Sequence, residues 1–105
     1  MKEITVQELK SKIDSGADFQ LIDVREDNER EFTNIGGDHF PMGSVMQKVD
    51  KISKDKEVVI YCRSGGRSAQ VVNFLEANHG FENLYNLKGG ILAWAGEIDD
   101  NIKKY

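Results

Sequence analysis

The sequence predicts an α/β fold with a mainly parallel sheet. Short β-branched and aliphatic runs alternate with stretches of helical periodicity, which is the pattern of successive βα units. The run Val58-Val59-Ile60-Tyr61-Cys62 is apolar almost throughout, as a strand covered on both faces must be. That run passes directly into a glycine-containing turn and then a helical pattern, so the chain reverses from strand to helix within a few residues.

Taken in order, Met1 to Ile4 is a short first strand. Thr5-Val6-Gln7-Glu8 has capping-box spacing: the Thr5 hydroxyl can receive the Glu8 amide while the Glu8 carboxylate reaches back. Val6, Leu9 and Ile13 follow at helical spacing, and Gly16 ends the helix. Phe19 to Val24 is a strand, and the charged stretch Asp27 to Phe32 a short exposed helix. Residues 34–43 form a loop around Gly36-Gly37, with His39-Phe40-Pro41 as a short extended piece. Ser44 and Gln47 repeat the capping-box spacing ahead of a helix carrying Val45, Val49 and Ile52. Val58 to Cys62 is the clearest strand. Arg67 to His79 is a helix with Val71, Val72, Phe74 and Leu75 available for burial and Gly80 as its stop. Asn83 to Leu87 is the last strand, and Gly89-Gly90 opens a short helix through Ile91 to Trp94. The polar tail from Glu97 to Tyr105 carries spaced Ile98 and Ile102 and reads as a docked helix. Right-handed crossovers place the loops after the strands at one edge of the sheet, where ligands bind.

A chain of 105 residues without repeats or a linker is expected to be one domain, 1–105. Its net charge of −4, with acids spread along the chain, argues against nucleic acid or an anionic membrane as partner. No apolar run is long enough to span a bilayer, and no signal-peptide core follows Met1, so a cytoplasmic location is expected. A single cysteine cannot form an internal disulfide, which suits a reducing compartment.

That cysteine, Cys62, is the candidate nucleophile. A thiol attacks only as thiolate, and helix N-termini and cations lower its pKa. The loop Arg63-Ser64-Gly65-Gly66-Arg67-Ser68 offers both devices: backbone amides that can turn inward as an anion nest, and two arginines against an acidic background. The other loop residues are small, so the arginines are expected to lie open. Free cysteines are often only small buried hydrophobes, but the sequence behind Cys62 favours the reactive reading. His39, in a loop, and His79, before the helix stop Gly80, provide neither a Cys-His pair nor metal-ligand spacing, so no metal or cofactor is expected. Asp23 and Arg25 read first as a supporting ion pair at the sheet edge and second as donor-recognition groups; Trp94 reads as core and Lys88 as surface.

Three segments together resemble the rhodanese-like family. Leu21-Ile22-Asp23-Val24-Arg25-Glu26 is similar to its early strand signature, Val58 to Ser68 to its active-site strand and loop, and Leu87 to Trp94 to its C-terminal signature, in the family's order. The resemblance implies a three-layer fold with a central five-stranded sheet flanked by helices. It also implies sulfur transfer: Cys62 attacks a small anionic sulfane donor such as thiosulfate, becomes a persulfide, and passes the outer sulfur to a thiophilic acceptor, which can be a protein. Arg63, Ser64, Gly65, Gly66, Arg67 and Ser68 would bind donor and persulfide. Four residues separate Cys62 from Arg67; phosphatase relatives carry one more, so the narrower loop favours sulfur over phosphate. Where the family often has His-Ile-Pro-Gly-Ala, this chain has Asn34-Ile35-Gly36-Gly37-Asp38, a difference that bears on donor choice. Two rival readings are a persulfide carrier or interaction module acting with protein partners, and a small phosphatase or arsenate reductase using the same cradle.

Overall fold

A computed structural model describes residues 1–105. Five strands form one parallel sheet in the order β1-β5-β4-β2-β3: β1 Lys2–Ile4, β2 Phe19–Asp23, β3 Asp38–His39, β4 Glu57–Tyr61 and β5 Leu84–Leu87. Helices α1 Val6–Asp14, α2 Asp27–Phe32, α3 Gly66–His79 and α4 Gly90–Glu97, together with a 3₁₀ helix Met42–Lys51, connect them. The expected α/β architecture is therefore present.

Alternation along β4 builds the layers. Val58 and Ile60, with Cys62 just beyond, point into a core shared with Val71, Val72 and Leu75 of α3, and with Ile22, Val24, Phe40 and Val45. Val59 and Tyr61 point the other way, into a core with Val6 and Leu9 of α1 and Ile91 and Trp94 of α4. This two-sided burial is why β4 carries no alternating polar face. Trp94 is core, as expected.

Chain direction reverses around β4. After β2 the chain moves outward to β3, and after β4 it moves the opposite way to β5. The C-terminal ends of β2 and β4, paired through Asp23 and Tyr61, therefore flank a topological switch point.

Several local expectations are corrected. Ile13 is exposed, because the core that receives Val6 and Leu9 ends before its turn of α1. The segment after Pro41 starts at Met42 and is 3₁₀ rather than α. Ser44 lies inside its first turn, with its amide and hydroxyl both donating to the Pro41 carbonyl, so it is no N-cap. Gly43, Val45 and Val49 are weak α-formers there. The tail does dock, with Ile98, Ile102 and Tyr105 against the second core, but not as a helix. The Asp99 carboxylate takes the Asn101 amide at 3.0 Å and turns the chain instead. The Thr5–Glu8 capping box forms as expected.

The loop after β2 is held by a buried ion pair. Arg25 donates through Nε and Nη2 to the two Asp23 carboxylate oxygens, both at 2.9 Å, and neither side chain is exposed to solvent. The Tyr61 hydroxyl adds a bond to Asp23 at 3.1 Å, and Arg25 Nη2 reaches the Thr33 carbonyl at 2.7 Å. Each charge has its partner and its remaining hydrogen bonds, the condition under which burial is tolerated. Removing one partner strands the other: Asp23→Ala is expected to lose about 3–5 kcal/mol of folding free energy, read as a lower urea midpoint with unchanged slope.

Candidate active site

Cys62 is the first residue beyond β4, at the switch point, and is 1 % exposed. Gly65 adopts φ +108° and turns the chain into α3, a conformation that side chains resist. That turn aims the Gly65 amide at the sulfur. The Gly65 amide lies 3.1 Å from Sγ and the Ser68 hydroxyl 3.3 Å. Burial pushes the Cys62 thiol up, but the Ser68 hydroxyl and the Ser68, Gly65 and Ser64 amides outweigh it, leaving the pKa below its ordinary value. Of the loop amides expected to face inward, that of Gly65 reaches the buried sulfur, joined by the Ser68 hydroxyl. Gly66 begins α3 and is exposed, as are Arg63 and Ser64.

The cradle is braced from behind. The Ser68 hydroxyl has three acceptors in reach, Cys62 Sγ, the Gly65 carbonyl and Asn86 Oδ1, and a single proton to share among them. Asn86 Nδ2 donates to the Gly65 carbonyl at 3.1 Å, which fixes its amide with Oδ1 toward Ser68. The start of α4 holds the other side of the loop: the Ile91 amide donates to the Cys62 carbonyl at 3.0 Å and the Leu92 amide to the Arg63 carbonyl at 3.1 Å. This approach needs Gly90. A Cβ there would sit 2.5 Å from the Arg63 carbonyl oxygen and 2.6 Å from that of Cys62.

Both arginines have partners, although Arg63 remains exposed. Arg67 forms a two-pronged pair with Glu29 of α2, at 2.6 and 2.8 Å. Arg63 donates through Nε to the Tyr105 carbonyl at 2.7 Å and lies 5.3 Å from its ring centroid. The Tyr105 hydroxyl donates to Glu29 at 2.6 Å and receives Arg25 Nη1 at 2.9 Å. Small loop residues left room over the arginines, and residues distant in sequence filled it. The Arg67 guanidinium, followed by the Tyr105 hydroxyl, holds the Glu29 carboxyl down to about 2 despite partial burial. Asp23 and Arg25 support the neighbouring loop, as their first reading had it. His39 Nε2 donates to the Arg25 carbonyl at 2.7 Å and so braces that loop too. Lys88 is exposed.

Sequence reasoning missed Glu29, Asn86 and Tyr105. Each lies on a different element from Cys62, and only Asn86, inside the C-terminal strand, had a polar residue in an apolar run as its signal.

The chain is thus an α/β protein whose single cysteine is buried at the C-terminal edge of a parallel sheet, with an amide and a hydroxyl donating to its sulfur. The chain belongs to the rhodanese-like family: the model of the rhodanese-like domain matches residues 5–97. The Bacillus subtilis protein that bears the name "Putative sulfurtransferase YtwF" is 43 % identical over 92 % of this chain and 93 % of its own. A sulfurtransferase of Allochromatium vinosum is 36 % identical over 90 % of this chain and 89 % of its own. The crystal structure of a rhodanese-like domain protein from Staphylococcus aureus superposes with a TM-score of 0.83 at 33 % identity, covering 100 % of this chain and 99 % of that one.

Two outcomes are expected. In Ser68→Ala, loss of the strongest group opposing burial moves the thiol pKa upward; the midpoint of iodoacetamide alkylation against pH shifts to higher pH. In Gly90→Ala, the α4 contacts part from the loop, at a cost of about 1–3 kcal/mol for the strained φ alone; the melting temperature falls and alkylation at neutral pH changes with it.

Proposed function

We propose that this protein is a sulfurtransferase that moves sulfane sulfur through a persulfide on Cys62. The observation that carries this reading is the ring of donors around a buried sulfur: they hold an anion where bulk water does not reach it. The rhodanese-like family and the sulfurtransferase names of the relatives agree with it.

In the first step the Cys62 thiolate attacks the outer sulfur of the donor. With thiosulfate, a new S–S bond forms on Cys62, the S–S bond of the donor breaks, and sulfite leaves with its electron pair. The outer sulfur stays on Cys62 as a persulfide anion. In the second step a thiophilic acceptor, a small molecule or a protein thiol, attacks that outer sulfur and the Cys62 thiolate is released. This is covalent catalysis in two displacements. No separate general base is called for, since the donors around Sγ lower the thiol pKa and the leaving group is stable. The same amides that hold the thiolate serve the persulfide, and Ser68 can turn its proton between Asn86 and the sulfur as charge arrives and departs. A reducing compartment such as the cytoplasm keeps the thiol available.

Mixing the protein with excess thiosulfate or a thiol persulfide is expected to add one sulfur atom by intact mass, and cyanide to remove it. Cys62→Ser is expected to abolish the adduct. An adduct that survives that substitution would overturn the assignment of Cys62, and a protein that takes no sulfur from any donor would overturn the reading itself.

A further inference from the structure

We propose that Glu29, backed by Tyr105, is a specificity-determining residue that turns this site away from dianionic thiosulfate and toward thiol persulfides. The inference rests on the sulfurtransferase reading above and narrows its donor.

The argument starts from what an anionic donor needs at the mouth of the cradle. Arg67 is the second residue of α3, immediately beyond the amide turn, and its charge and that of an ionised Cys62 attract each other. Its planar fork would be the natural seat for a sulfonate. In this protein the Nη1/Nη2 face of the fork is already taken: two nitrogens meet the two Glu29 oxygens at 2.6 and 2.8 Å, so a second oxyanion would find only the Nε side of a guanidinium whose charge Glu29 balances. Glu29 is itself held. Its side chain is 13 % exposed, the Tyr105 hydroxyl donates to it at 2.6 Å, and its own reach to the Glu26 amide, 3.0 Å, ties it into α2. Tyr105 is anchored in turn by Arg25 at 2.9 Å, by the Arg63 side chain on its carbonyl, and by Phe32 edge-on at 6.0 Å. Displacing Glu29 therefore means breaking a connected set of bonds spread over α2, α3 and the tail.

Charge balance then separates the donors. Thiosulfate brings two negative charges to a thiolate carrying one, and all three persist through the step, as persulfide anion plus sulfite. A thiol persulfide in its neutral form brings none: Cys62–S⁻ and R–S–SH become Cys62–S–S⁻ and R–SH, with one negative charge throughout. The outer sulfur changes partners, the R–S bond to it breaks, and the proton moves to the departing thiol. A site in which Glu29 neutralises Arg67 matches the second reaction and opposes the first. Asp23 leaves this balance unchanged, because Arg25 covers both its oxygens and Arg30 adds a contact at 3.4 Å; Arg63 keeps its charge, since its partner is the Tyr105 carbonyl, and is common to both donors.

The test compares second-order rate constants for sulfur loading of Cys62 from thiosulfate and from cysteine persulfide, in the full chain. In Glu29→Gln the volume is kept and the charge removed; thiosulfate loading is expected to rise about tenfold or more, the scale of one unit charge near a reacting anion, while persulfide loading changes less than about twofold. Tyr105→Phe, which keeps the ring against Arg63 and Phe32 and removes the hydroxyl that holds Glu29, is expected to move thiosulfate loading in the same direction by a smaller factor. It also decides the matter should the Glu29 variant misfold. Unchanged or slower thiosulfate loading in both variants overturns the inference, as does an equal rise for both donors, which would mean Glu29 only restricts access. In either case loading still occurs and the sulfurtransferase reading stands. Absence of loading from either donor in the unaltered protein would overturn that reading and this inference with it.

Discussion

The site depends on a contest at one atom. Burial of the Cys62 sulfur favours the neutral thiol, and oriented hydrogen-bond donors favour the anion. The donors prevail because they are fixed before the charge arrives: Gly65 sets the turn, α3 begins where its amides face the sulfur, and Ser68 sits under it. Each of these groups would be solvated in an open loop. Inside the protein they have few competing partners, so a modest number of hydrogen bonds outweighs a large desolvation cost. The arrangement also explains why β4 must be buried on both faces, since a strand with one wet face could not deliver its last residue into the interior.

Around that atom the structure is organised as three braces. Asp23 and Arg25 hold the loop beyond β2. Asn86 holds the turn from β5. The first amides of α4 hold the carbonyls of Cys62 and Arg63. The braces come from different elements and meet at the edge where the strand order reverses, so the sheet topology, rather than any one contact, keeps the cradle in shape. The mouth is organised separately, by Glu29 and Tyr105 on the arginines.

Much of this was legible in the sequence, for physical reasons that differ from element to element. β4 could be read from its unbroken apolar run and the cradle from a cysteine followed by glycines and arginines, because both are local patterns. The Thr5–Glu8 cap was legible for the same reason. The partners of the arginines were not: Glu29 sits in a helix that is charged all along, where no pattern marks one carboxylate among several, and Tyr105 lies 38 residues beyond Arg67 in the chain. Expecting a helix after Pro41 was sound in outline and wrong in pitch, since turn geometry after a proline is settled by the contacts of Val45 and its neighbours rather than by capping spacing. In the tail, Ile98 and Ile102 were rightly read as docked, but the Asp99 side chain competes for the backbone and bends it.

The bracing of the cradle by α4 has a thermal consequence. α4 spans only Gly90–Glu97, but Ile91 and Trp94 set it in the second core with Val59 and Tyr61 of β4 and with α1, so it opens with that core and not ahead of it. On warming, the carbonyls of Cys62 and Arg63 should therefore keep their amide partners until the sheet itself gives way.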